Sequence, residues 1–158
     1  MGFLPSNFQN LMLTRLIAET QRQLTSNISR TRTAKRQAES VEKNITNALR
    51  MNQNQIRAEM SNSIFNLQAS GASDPTRAQQ EIFSMQTQMQ TQLANLERDA
   101  EVMKEMQVQP LTDLASDLEV EKEKLEGDIK MYQSWKEGAK EDVQSSAKNL
   151  KPNYGSGG

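Results

Sequence analysis

Apolar residues recur in steps of three, four or seven from Phe8 through Leu11, Met12, Leu16, Leu24, Ile28, Ala34, Ala38, Val41, Ile45, Leu49, Ile56, Met60 and Ile64 to Leu67. That spacing is one face of an α-helix, not the alternation of a strand. No Gly or Pro interrupts the run. Ahead of it stand Pro5, Ser6 and Asn7, a helix start in which either polar side chain can accept from the free amides of the first turn. A second run begins at Ala78 and Ile82, continues through Met85, Met89, Leu93, Leu96, Ala100, Met103, Leu111, Leu114, Leu118, Leu125, Ile129 and Tyr132, and holds its phase to Ala139, Val143, Ala147 and Leu150. Between the runs lies Ala69 to Pro75, the one convincing place to reverse direction. Gly71 is expected to end the first helix in a left-handed conformation, and Asp74 before Pro75 reads as an N-cap followed by proline in the first turn.

The pattern therefore predicts an all-α fold: a long antiparallel two-helix hairpin, with a helix over 7–69, a bend over 70–75, a helix over 76–150 and a tail over 151–158, in one elongated domain. About 60 residues of helix make an arm of roughly 95 Å. Pro110 falls inside the second arm, where proline removes a hydrogen bond and crowds the preceding turn at a cost of ~3 kcal/mol. Because Ala100, Met103, Leu111 and Leu114 stay on one face across it, a kink near residues 106–110 is expected. Ala78, Met89, Ala100 and Leu111 are eleven apart, as are Leu96, Gln107, Leu118 and Ile129. That gives ~3.67 residues per turn and predicts near-straight packing or a slight right-handed twist. Two helices with narrow apolar stripes cannot build a self-sufficient core, so the hairpin is expected to complete itself in a helical bundle or filament.

Composition narrows the chemistry. Apolar residues make up 35% of the chain, aromatics 4%, and the mean hydropathy is −0.79, low for a compact globule. Cys and His are both missing, which removes thiol nucleophiles, disulfides, imidazole bases and the usual zinc ligands. No catalytic residue, cofactor or metal site is expected, and an enzyme is not expected: a helical pair offers no concave pocket with tuned titratable groups. No apolar stretch approaches the ~18 residues of a membrane span. The opening MGFLPSNFQNLMLTRLI lacks the basic region and small-residue cleavage site of a cleaved signal peptide.

Charge is divided between the arms. Residues 1–70 carry nine Lys or Arg against four Asp or Glu, whereas 71–158 carry ten against sixteen. With the bend near 72, residue i faces roughly 145 − i, which sets Arg15, Arg22, Arg30, Arg32 and Arg36 alongside Asp113, Asp117, Glu121 and Asp128. Inter-arm ion pairs of about 0.2–1 kcal/mol each would favour that register. The Arg30, Arg32, Lys35, Arg36 cluster could be read as a phosphate-binding patch, but the matching acidic arm and the overall charge of −1 favour pairing or solvation, and no nucleic-acid partner is expected. A membrane-surface reading needs a basic face beside a broad apolar one; only residues 8–36 come near that, and membrane contact is not expected.

The same register brings Phe3 and Phe8 toward Tyr132 and Trp135, and Ile64 and Phe65 toward Ile82 and Phe83. End-packing is the simple account of these aromatics. The cluster Phe3, Leu4, Phe8, Leu11, Met12, Leu13, Leu16 and Ile17 is nevertheless wider than one partner helix can cover. With Tyr132, Trp135, Val143 and Leu150, it is the expected self-assembly interface. Short motif matches carry little weight. MGFLPS fits an N-myristoylation pattern, and Asn27-Ile28-Ser29 and Asn44-Ile45-Thr46 fit N-glycosylation sequons whose Ile residues lie on the apolar stripe.

Gly71 to Met106, with Ser73-Asp74-Pro75 at the bend followed by Phe83, Met89, Leu93 and Val102, resembles the bend and second helix of type III secretion needle and filament subunits. The stretch Asn10 to Arg36 is similar in texture to the N-terminal helix of flagellins. In those families the terminal helices pair antiparallel, line a hollow filament and are exported without cleavage. The resemblance implies a self-assembling subunit of an extracellular bacterial filament or tube, with an export apparatus as a further partner and the cell surface or exterior as its place. The alternative is a cytosolic coiled-coil adaptor or secretion chaperone that forms a discrete oligomer.

Overall fold

The computed structural model describes residues 3–149. The order is α1 (Phe3–Ser70), a 3-10 turn (Gly71–Ser73), α2 (Pro75–Gln107) and α3 (Gln109–Asn149). This is the predicted helical hairpin, with the second arm bent at Val108, and no strand occurs among the described residues. Helix α1 starts at Phe3, ahead of the predicted Asn7, and takes Pro5 into its first turn, where the missing N–H has no intrahelical partner to lose. The side chains of Phe3 and Leu4, all of Leu150 and the expected tail lie outside the described residues.

At the bend, one expectation is corrected. No described glycine has a positive φ. The chain turns instead through the 3-10 segment, in which the Asp74 amide donates to the Gly71 carbonyl at 3.2 Å. Glycine at 71 answers a different requirement: a Cβ there would stand 2.6 Å from the Cβ of Ala78, in the first turn of α2. The expected cap forms. The Asp74 carboxylate accepts from the Arg77 amide at 3.3 Å, and Pro75 opens the helix.

Pro110 acts on the other side of α2. The Val108 amide still donates to the Lys104 carbonyl at 2.8 Å, and the Thr112 amide donates to Val108 at 3.0 Å. Between them the missing proline N–H takes one rung out of the ladder. The interruption is a single residue, and Pro110 sits in the first turn of α3, where it is tolerated.

The chain divides into two compact units. In the bend unit, Ala34–Leu114, the shielded positions of α1 run Ile45, Leu49, Gln53, Ile56, Met60, Ile64 and Leu67, and those of the opposing arm run Ala78, Ile82, Met85, Met89, Leu93, Leu96 and Ala100. Both follow the eleven-residue period. In the terminal unit, Met1–Thr33 with Ala115–Gly158, α1 presents Leu13, Ile17, Thr20, Leu24, Asn27 and Thr31. There α3 presents Ala115, Leu118, Lys122, Leu125, Ile129, Tyr132, Lys136, Ala139 and Val143. These steps alternate three and four, a strict heptad, the period of left-handed packing. The eleven-residue series expected through Gln107 is therefore corrected: Gln107 is exposed, the seam passes through Lys104 and Val108 instead, and the heptad takes over from Lys104.

The deepest positions are mostly small. Ala34, Ala38, Ala100, Ala115 and Ala139 are buried, and no large side chain among the described residues is fully enclosed. The accessible surface is 12299 Å², against about 8000 Å² for a globular monomer of this mass. The close approach at Gly71 can be tested directly. Gly71→Ala should lower stability by about 1–3 kcal/mol in chemical denaturation, and adding Ala78→Gly should recover most of that. A single variant as stable as the parent chain would show that the turn yields freely.

Candidate interaction surface

The terminal unit carries its polar chemistry inside the seam. The Thr20 hydroxyl donates to the Leu16 carbonyl at 2.7 Å, and that of Thr31 donates to Asn27 at 2.9 Å, so each is satisfied within its own helix. Asn27 reaches across. Its Nδ2 donates to the Leu118 carbonyl at 2.9 Å and to Glu121 Oε2 at 3.1 Å, with the residue 3% exposed. Its Oδ1 is buried without a partner. Asn27 opposite Leu118 is the register 145 − i.

Sequence reasoning missed Thr20, Asn27 and Thr31 because it followed apolar letters. The signal was present in the phase of Leu13, Ile17, Leu24 and Ala34, which places 20, 27 and 31 on the same stripe. The corollary concerns the expected assembly cluster. Leu13, Ile17, Tyr132 and Val143 are half-buried in the seam, whereas Phe8, Leu11, Met12, Leu16 and Trp135 are exposed, Phe8 at 64% and Trp135 at 54%. Ile28, counted in the first stripe, is exposed as well.

Phe8 and Met12, one turn apart on α1, share a groove of about 670 Å³ with Ser134, Trp135, Gly138 and Asp142 of α3. A Cβ at Gly138 would meet nothing within 4 Å, so the groove floor is open there. Trp135 leans on Tyr132, ring centroids 5.8 Å apart at 59°, a tilted arrangement that holds the indole without covering it. Met131, one turn back on α3, extends the same exposed row.

In the bend unit the expected packing of aromatics is corrected. Ile64 and Ile82 enter the seam, but Phe65 and Phe83 are 70% and 72% exposed. A helix pair shields only the side chains aimed at its seam, and each phenylalanine sits one residue past a seam position.

The inter-arm charge pairs are also corrected. Arg15, Arg22, Arg30, Arg32 and Arg36 are all exposed, and among the described residues no ion pair joins them to Asp113, Asp117, Glu121 or Asp128. Glu121 accepts from Asn27 instead. One cross-arm ion pair, Lys104 Nζ to Glu42 Oε1 at 3.9 Å, has the opposite polarity, with the acid on α1. Long exposed side chains gain little from ordering at water's dielectric, so the arms meet without them.

Among the described residues no group of His, Cys, Asp or Glu could hold a metal ion, and no helix is long and apolar enough to cross a membrane. Comparison with protein-family models, with curated proteins and with solved structures returned no match.

Asn27 has the properties of a register-setting polar residue, which raises specificity at a cost in stability. Asn27→Leu is expected to raise the thermal midpoint while loosening the alignment. Disulfide trapping of cysteine pairs placed one heptad out of register should then succeed in the variant and fail in the parent chain. A lower midpoint with a single register would remove that role.

Proposed function

We propose that this chain is a non-catalytic structural subunit that assembles with copies of itself through apolar side chains its own hairpin leaves exposed. The observation that carries the reading is the row Phe8, Met12 and Leu16 on α1 beside Met131 and Trp135 on α3, all exposed in a unit whose seam is already filled. An exposed apolar row rimmed by charge is the signature of an association surface. The resemblance to flagellins and secretion-needle subunits makes an extracellular bacterial filament or tube the assembly we put forward, reached by export without a cleaved signal peptide.

A second reading is favoured by one observation. The terminal unit keeps a strict heptad on both arms, the period of closed left-handed bundles, which suits a discrete oligomer acting as a cytosolic adaptor. Negative-stain microscopy across a concentration series separates the two: uniform polymers support the filament, and a small oligomer of fixed size supports the adaptor.

Both readings share a test. Phe8→Gln with Met12→Gln alters exposed groove positions and leaves the seam residues Leu13 and Ile17 in place. The variant should keep its helical circular dichroism and lose association by more than tenfold in sedimentation. Unchanged association would show that the row is not the surface used.

A further inference from the structure

We infer that the first contact between copies is a two-fold pairing of terminal units with the helices of both hairpins running in the same sense, closing a four-helix bundle. The inference rests on the self-association proposed above and specifies its geometry. Two observations lead to it. The exposed apolar row lies on one side of the α1/α3 pair, because Phe8 and Met12 share their groove with Trp135. The two helices of this unit also carry opposite net charge. In this unit α1 carries Arg15, Arg22, Arg30 and Arg32 against Glu19, while α3 carries nine carboxylates against six lysines over residues 115–149. None of the four arginines has an ion pair among the described residues.

Two hairpins meeting on that side can be related in two simple ways. A two-fold axis across the helices lays α1 of one copy over α1 of the other, basic arm on basic arm, and α3 over α3. A two-fold axis along the helices lays α1 over the partner's α3, basic on acidic, and makes every neighbouring pair antiparallel. Like charges set face to face oppose association and opposite ones favour it, so charge selects the second. Geometry agrees. The antiparallel relation of α1 to α3 inside one chain, with Asn27 level with Leu118, is repeated between copies, and the shared heptad period suits up-down-up-down bundles. Phe8 and Met12 of each copy then cover Trp135 of its partner, and the open space at Gly138 admits the approaching helix.

The chain has no cysteine, so single nitroxide labels can be placed at Asn7→Cys and, in a separate variant, Ser29→Cys, both exposed positions. About 33 Å of helix rise separates them. Helices running in the same sense give two similar short inter-copy distances by pulsed dipolar spectroscopy. A crossing two-fold axis makes at least one of them exceed about 33 Å, since the two sites cannot both lie near it. Dimers or polymers with one long distance would overturn this pairing and leave self-association standing. A chain that stays monomeric at every concentration would overturn both. As a second measurement, Trp135→Ala should weaken dimerisation at least tenfold with helicity unchanged; undiminished dimerisation counts against the pairing.

Discussion

A pair of helices can shield only what points into the line between them, and the structure follows from that limit. Such a line favours small side chains, so five alanines, two threonines and an asparagine are buried beside Ile45, Leu118, Leu125 and Ile129, while Leu13, Ile17 and Tyr132 are covered in part. At about 25 cal/mol for each Å² of apolar surface removed from water, partly covered side chains leave much of the hydrophobic driving force unused. The remainder lies on the surface as Phe8, Leu11, Met12, Phe65, Phe83, Met106 and Trp135. A protein of this design gains stability from further helices more readily than from any rearrangement of its own two arms.

The change of period is the second consequence of the sequence. From Ala78 to Lys104 the second arm repeats every eleven residues, and from Lys104 to Val143 every seven. A helix that keeps either repeat must twist differently about its partner, so the join between them is where the backbone is most in need of adjustment. Pro110 and the bend at Val108 fall just after that join. The stripe steps from Lys104 to Val108 through an intact rung and continues at Leu111 and Ala115 in the new phase, with the rung that Pro110 lacks just after the change.

Much of the architecture was legible in the sequence because its signals are local. The absence of Gly and Pro across Ser6 to Ala69, the Asp74-Pro75 cap and the position of Pro110 each act on the backbone within a turn or two, and each found its counterpart. The role of Gly71 was misread because glycine permits both positive φ and close approach, and only the distance to Ala78 tells them apart. The division of the N-terminal cluster into seam and surface was hidden for another reason. Phe8, Leu11, Met12, Leu13, Leu16 and Ile17 contain two stripes on different sides of one helix, and hydrophobicity alone does not say which of them the partner arm takes. The answer lay in polar residues further along, Thr20, Asn27 and Thr31, whose phase matches only the stripe through Leu13 and Ile17.

What holds the arms at one register also follows from magnitudes. Exposed ion pairs contribute about 0.2–1 kcal/mol each, and those anticipated between the arginines and the acidic arm do not form. Apolar side chains of a heptad seam are nearly interchangeable when slid by one repeat, so they resist slippage weakly. A buried amide is different. Slid by seven residues, Asn27 would have to replace both of its hydrogen bonds or leave its donor unmet in a dry seam, at about 1–3 kcal/mol. Its acceptor Oδ1 is already unmet at the native register, so one polar side chain carries a standing cost in stability in exchange for alignment. For the self-association we propose, alignment matters more than stability, because a slipped hairpin would offset Phe8 from Trp135 and break the row.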